Sequence, residues 1–185
     1  REMVKEYAPK YFAGMPLGTS NDLGCGIRLG QSVGGKTDHM NRVTAWRFLN
    51  PPLAFAQGIV VNKYGKRFCN EMVYGATLGD AMCEDNEGKA YLILSAKLFT
   101  ESKMQANKAL PFQRDMAKML MYFNAKKKTD LEDIANVYDL SAENLISEVN
   151  KYNEAANSGT PCEFGKAATD IKLLEGPFYI MDISI

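Results

Sequence analysis

Residues 57–79, QGIVVNKYGKRFCNEMVYGATLG, decide the fold of this chain. The apolar run 58–61 predicts a buried strand, since every position in it is hydrophobic or glycine. A turn follows at 62–65, because its glycine tolerates the positive φ that a short hairpin loop needs. The chain then resumes at 66–68, so the pattern predicts a β-hairpin that leads into Tyr74.

Composition limits the classes of partner. The chain has 185 residues, with 22 basic and 22 acidic side chains and a formal net charge of zero. This length suits one or two domains. The balanced charge argues against a nucleic-acid or anionic membrane surface as the main partner. No apolar run reaches the roughly 20 residues of a membrane span.

Cysteine and histidine usage argues against a metal site. The four cysteines form no C-x-x-C pair, and the only histidine is His39. No metal ligands are therefore predicted. A chain of this size does not need disulfides, so we expect reduced and mostly buried thiols, which favours the cytoplasm, although the sequence does not state the compartment.

Hydrophobic periodicity and capping residues predict the remaining elements. Helices are expected at 2–7, 76–86, 97–107, from 111, at 130–138 capped by Thr129, and to about 156 capped by Ser141, with a buried strand at 90–95. The stripe Phe112, Met116, Met119, Leu120 and Phe123 is expected to enter the core. Alternatively, the methionines Met116, Met119 and Met121 line a pocket for an apolar ligand.

The order of motifs resembles one protein family. GI-x-VN-x-x-G-x-RF-x-NE at 58–71 resembles the flavoproteins that include fumarate reductases and 3-ketosteroid dehydrogenases. The series TD-L-x-x-I-A, L-x-x-x-V-x-x-YN, FGK and GPFY, between 129 and 179, keeps the order of the same family. The resemblance therefore spans nearly the whole chain.

The resemblance implies a fold and a domain division. We expect an α+β fold, the capping domain of a fumarate reductase/succinate dehydrogenase-type flavoprotein, with a short piece of the FAD-binding domain at the N-terminus. Residues 1–47 would be that piece and the crossover, 48–177 the cap, and 178–185 the start of the return to the FAD-binding domain. Because the chain begins on Arg1 and stops directly after an apolar run, we expect a piece of a longer protein, with FAD bound only in the full-length parent.

A glycine-rich segment is the expected cofactor contact. GTSNDLGCGIRLGQSVGG, residues 18–35, predicts a helix with an N-cap among residues 20–22. Read alone, it is either a tight helix start or a site for an electron-rich ligand edge. The resemblance implies that Gly24, Cys25 and Gly26 lie beside the flavin. Many members carry Asp or Ser where Cys25 stands, so the glycines are expected to act through their backbone.

The chemistry expected of such a family is hydride transfer between flavin N5 and one carbon of an activated C–C bond, with proton transfer at the neighbouring carbon. In fumarate reductases an arginine shortly after the Asn-Glu pair is the acid. Residues 72–75 here are Met-Val-Tyr-Gly, so Tyr74 resembles the ketosteroid dehydrogenase branch, and Tyr179 is the next candidate. The alternative for Tyr74 is an aromatic packing residue.

These expectations define the function and its alternatives. The main hypothesis is part of an FAD-dependent oxidoreductase acting on a 3-ketosteroid or similar enone. Its expected partners are the small-molecule substrate and the remainder of the FAD-binding domain. A fumarate reductase-like enzyme for a small unsaturated carboxylate is the first alternative. A non-catalytic α+β binding module is the second.

Overall fold

A four-stranded antiparallel sheet lies at the centre of the chain, in a computed structural model that describes all residues 1–185. Its strands are Ile59–Val61 (β1), Tyr91–Ser95 (β2), Lys126–Lys128 (β3) and Phe178–Asp182 (β4). Their order in the sheet is β1-β2-β4-β3. The expected α+β class is therefore confirmed.

Eight α-helices surround or precede this sheet. They are Glu2–Tyr7 (α1), Cys25–Ser32 (α2), Leu53–Ala56 (α3), Gly75–Asp85 (α4), Ala96–Ala106 (α5), Pro111–Met119 (α6), Leu131–Asn136 (α7) and Ala142–Ser158 (α8). A π-helical turn, Leu120–Asn124, continues α6. Short 3₁₀ turns occur at Pro9–Tyr11, Glu163–Gly165 and Ala168–Asp170.

The hydrophobic core belongs to the part of the chain that follows the N-terminal helices. Its cluster of 33 buried residues begins at Leu49 and ends at Ile183. Strands β1 and β2 are buried along their whole length. Helix α5 packs on β2 and β4, and α7 packs on β3 and β4. Helices α1 and α2 bury no residue. The N-terminal segment therefore rests on the sheet domain without entering its core.

The hairpin after β1 forms as expected. Gly65 has φ of 74°, and the N–H of Asn62 donates to the carbonyl of Lys66 at 2.9 Å. The returning arm is joined to β1 by a single antiparallel bridge between Val61 and Arg67. The arm is short because the chain turns inward to bury Glu71.

Two local expectations are wrong. Helix α2 is capped by Gly24, with φ of 74°, and not by a side chain from 20–22; Asp22 accepts the N–H of Thr19 instead. The cap of α7 is Asp130, one residue after Thr129. The three lysines before α7 form the exposed edge strand β3.

Most of the apolar stripe of α6 does not enter the core. Phe112, Met116, Met119 and Phe123 are between 41% and 67% exposed. The opposite side, with Ala117 and Met121, packs inward, and Leu120 is partly buried against the core. The expectation that the stripe joins the core is therefore wrong for all of its residues but Leu120.

The cysteines are all free thiols. Cys69 and Cys83 are buried, whereas Cys162 is partly exposed and Cys25 is exposed. The expectation of mostly buried thiols therefore holds for two of the four. None of the helices has the length and apolar character needed to cross a membrane.

Candidate functional site

Tyr74 lies at the N-terminal end of α4 with its ring 62% exposed. The ring meets the edge of Trp46 at a centroid distance of 4.9 Å, and Trp46 in turn contacts Phe48 at 5.1 Å. We call these three residues the aromatic wall. It presents ring surface and one phenolic hydroxyl to solvent, which suits contact with a flat apolar ligand.

Two glycines of α4 place the aromatic wall. A Cβ at Gly79 would lie 2.2 Å from the carbonyl oxygen of Ala45, and one at Gly75 would lie 3.0 Å from that of Arg47. The segment 45–48 therefore runs directly against the helix backbone, and the N–H of Arg47 donates to the carbonyl of Gly75 at 3.0 Å. This close approach brings Trp46 to the ring of Tyr74.

Arg47 points away from the aromatic wall. Exposure alternates along 45–48, with Trp46 and Phe48 exposed and Arg47 partly buried between them. The guanidinium donates to the carbonyl of Ser184, and its Nε is buried without a partner. Burial lowers the pKa of Arg47, although Asp182 opposes this shift. The only cationic side chain of the segment 45–48 therefore lies on the side of the segment opposite to Tyr74.

A buried charge cluster lies just before Tyr74 in the chain. Glu71 accepts two hydrogen bonds from Arg67, both at 2.9 Å, and one from the N–H of Val60 at 3.0 Å. Lys166 contacts Glu71 at 3.2 Å and donates to the carbonyl of Gly58 at 2.7 Å. Three charged side chains, at most 2% exposed, thus tie the hairpin to the segment after α8.

Tyr152 closes the cluster on its inner side. Its ring lies 5.1 Å from the guanidinium of Arg67 and 4.8 Å from the ammonium of Lys166. Its hydroxyl donates to the carbonyl of Gln57 at 2.7 Å. Burial lowers the pKa of the Lys166 ammonium, while Glu71 opposes that shift. The cluster holds two cations against one carboxylate.

Tyr179 lies in a separate aromatic stack. It is on β4, where its ring stacks on Phe99 of α5 at 3.8 Å with an interplanar angle of 7°. Lys127 extends over the same ring at 5.9 Å. The structure therefore does not bring the two tyrosines of the predicted site into one cluster.

The predicted cofactor residues form the start of α2. Gly24 is its cap, and the backbone N–H groups of Cys25 and Gly26 donate to no acceptor within the chain. A Cβ at Gly26 would meet nothing within 4 Å. A cleft of about 280 Å³ runs beside the helix and includes Gly26, Gly30 and Lys36 among its lining residues. Free amides beside an open glycine surface fit the edge of a flavin.

No family model matches the chain. It is 36% identical over 180 residues to the 3-oxo-5-alpha-steroid 4-dehydrogenase of Comamonas testosteroni, covering 95% of this chain and 34% of that protein. It is 22% identical over 195 residues to a probable fumarate reductase of Shewanella frigidimarina, covering 100% of this chain and 31% of that protein. The chain spans about a third of the length of these relatives.

Solved structures with a similar fold include an enzyme of the same kind. The 3-ketosteroid-Δ4-(5α)-dehydrogenase of Rhodococcus jostii RHA1, in complex with 4-androstene-3,17-dione, superposes with a TM-score of 0.81 at 23% identity. The match covers 99% of this chain and 36% of that one. In sequence and in structure, the proteins that this chain resembles are 3-ketosteroid dehydrogenases and fumarate reductases. Its α+β fold matches the capping domain of those oxidoreductases.

Sequence reasoning missed two parts of this site. Trp46 and Phe48 are not among the predicted site residues, yet both are exposed and form the wall beside Tyr74. Their alternation with Arg47 was the available signal. The ion pair between Glu71 and Lys166 joins residues that are 95 positions apart in the sequence, and no local sequence pattern predicts such a contact.

Proposed function

We propose that this chain is the cap of an FAD-dependent oxidoreductase that moves hydrogen across the C–C bond beside the carbonyl of a 3-ketosteroid or similar enone. The observation that carries the proposal is the largely exposed side chain of Tyr74 on the aromatic wall. The 36% identity to a steroid 4-dehydrogenase supports it. FAD, when bound, supplies the hydride acceptor or donor.

The proposed role of Tyr74 is proton transfer at the substrate carbon. Its ring contacts Trp46 at the start of α4, the residue is 62% exposed, and its hydroxyl makes no hydrogen bond within the chain. A held side chain with a free hydroxyl meets the geometric requirement for a general acid or base. We assign Trp46 and Phe48 to substrate contact, because their rings offer apolar surface beside that hydroxyl.

The charges around the wall favour an apolar substrate. A dicarboxylate requires cationic donors, usually arginine, because a guanidinium binds a carboxylate through two parallel hydrogen bonds. The residues 72–75 contain no arginine, and Arg47 is directed to Ser184 on the opposite side. A neutral polycyclic ketone needs only ring contacts and one hydrogen-bonding group, which the wall offers.

We further propose the domain assignment and the cofactor contact. Residues 1–47 belong to the FAD-binding domain and the crossover, 48–177 to the cap, and 178–185 to the return, which first passes through the cap sheet as β4. The N–H groups at the start of α2, next to Gly24 and Gly26, contact the flavin edge. The start of the core at Leu49 supports the first of these two boundaries.

The test is the Tyr74→Phe variant of the full-length protein. Removing the hydroxyl leaves the ring contact with Trp46 intact, so turnover of a 3-ketosteroid with an artificial electron acceptor should fall by roughly two to four powers of ten. Flavin absorbance and thermal stability should remain unchanged, because the ring is largely exposed. Fumarate should be the poorer substrate by kcat/KM.

Tyr122→Phe is the matched control, since it also removes an exposed phenolic hydroxyl but lies outside the wall. It should keep the turnover of the unmodified protein. Equal turnover in both variants would make Tyr74 a packing residue and would direct the search to Tyr179. A colourless full-length protein would instead support the binding-module alternative.

A further inference from the structure

The segment between the buried charge cluster and Tyr74 is fixed at both ends. Glu71 is anchored by Arg67, Lys166 and the N–H of Val60, with its side chain fully buried. Three residues further on, the carbonyl of Tyr74 accepts the N–H of Leu78 at 3.1 Å in the first turn of α4. The backbone that carries the wall tyrosine therefore lies between a buried anchor and a helix.

The short link itself is closed by a turn. The side-chain oxygen of Asn70 accepts the N–H of Met72 at 2.9 Å, and the carbonyl of Asn70 accepts the N–H of Val73 at 3.2 Å. This Asx turn leaves few backbone conformations open between Glu71 and Tyr74. A shift of the Glu71 carboxylate therefore moves Tyr74 with it.

The energetics of the cluster indicate a role in geometry. Burying charged groups costs solvation free energy that their mutual attraction largely offsets, so a buried ion cluster adds little net stability compared with a packed apolar one. The carboxylate of Glu71 instead fixes the relative placement of three elements, because its oxygens accept hydrogen bonds from β1, from the hairpin arm and from the segment after α8.

We propose that Glu71 is a positioning residue for proton transfer, which acts by holding the turn that presents Tyr74. This inference rests on the proposed role of Tyr74. Glu71 makes no contact with the wall itself, so its effect on the reaction passes through the backbone of the Asn70 turn. Arg67 and Lys166 serve the same purpose by fixing the orientation of the carboxylate.

The experiment is a double-mutant cycle of Glu71→Gln and Tyr74→Phe in the full-length protein. Glu71→Gln keeps the side-chain shape but removes the charge that holds two cations. A displacement of about 1 Å at a reacting group costs on the order of 100-fold. We therefore expect kcat for the 3-ketosteroid to fall about 10- to 100-fold with KM nearly unchanged.

The cycle separates positioning from a general loss of structure. In the Tyr74→Phe background, Glu71→Gln should lower kcat by less than about threefold, because the group it positions is already gone. Glu148→Gln is the matched control, since Glu148 is also buried but lies on α8 away from the turn. It should leave kcat unchanged in both backgrounds.

A second variant covers the case in which Glu71→Gln fails to fold. Asn70→Ala opens the turn without touching the buried cluster, and it should lower kcat in the same non-additive way. Additive losses, or no loss with either variant, would overturn the inference while leaving the role of Tyr74 intact. If Tyr74→Phe alone keeps full turnover of the 3-ketosteroid, the proposed role of Tyr74 and this inference fail together, while the proposed oxidoreductase activity stands.

Discussion

The close packing of α4 against the segment 45–48 leaves less room for a Cβ at Gly79 than at any other glycine of the chain. In Gly79→Ala the new Cβ would lie 2.2 Å from the carbonyl oxygen of Ala45 and 2.9 Å from the nitrogen of Trp46. Both contacts are backbone atoms, which have no rotamer to adopt. The helix and the segment would have to separate by about 1 Å to restore ordinary contact.

The expected cost follows from two opposing terms. Overpacking of this kind costs about 1–3 kcal/mol, and the rigid neighbours place Gly79→Ala at the upper end. Alanine regains about 1 kcal/mol over glycine in a helix interior. The net loss in the free energy of unfolding should be about 2 kcal/mol. For a chain of this size that corresponds to a fall in Tm of about 4–8 °C.

Urea unfolding followed by far-UV circular dichroism measures this loss, and Trp46, the only tryptophan, gives a local fluorescence signal. The matched control is Gly30→Ala in α2, where a Cβ would meet nothing within 4 Å. That variant should be neutral or more stable by up to about 1 kcal/mol. Equal unfolding midpoints for the two variants would refute the packing argument.

Three further predictions concern the buried charge cluster and the cysteines. Glu71→Ala leaves two buried cations without a counter-charge and should lower the free energy of unfolding by about 3–5 kcal/mol in a urea titration. Lys166→Met keeps the Arg67–Glu71 ion pair, whose net charge is zero, and should lower the free energy of unfolding by less. Burial raises the pKa of the Cys69 thiol from 9.0 to about 12, so its contribution to stability is complete below pH 9.0 and is lost as pH rises toward 12; Cys69→Ala should flatten that decline in pH-dependent unfolding. Cys25 should react first with a thiol reagent in a mass-spectrometric time course, since it is the exposed thiol, and earlier labelling of Cys69 would contradict its burial.

Local signals in the sequence were sufficient for most of the fold. The cap of α8 is Ser141, whose hydroxyl accepts the N–H of Asn144 at 3.3 Å, as its residue type predicts. The turn glycine Gly65 has the positive φ that the hairpin requires. Both features depend on contacts within a few residues, which is the range that a sequence pattern describes.

Features that depend on distant contacts were not predictable in the same way. The spacing of Phe112, Met116 and Met119 correctly indicates one apolar side of α6, but spacing does not state which side faces the sheet. For the same reason the sequence suggested Tyr74 as a site residue without its neighbours. Trp46 reaches it only because Gly79 admits the crossing segment.

The placement of Tyr74 has a consequence for how such proteins diversify. Its side chain is exposed, whereas the carboxylate three residues earlier is fully buried. In the proposed reaction, position 74 therefore supplies the proton-transfer group while it contributes little folding free energy. A substitution there can change the acid or base without a compensating change in the interior. Members of one family can therefore acquire different proton-transfer groups, and with them different substrates, by single replacements on an unchanged backbone.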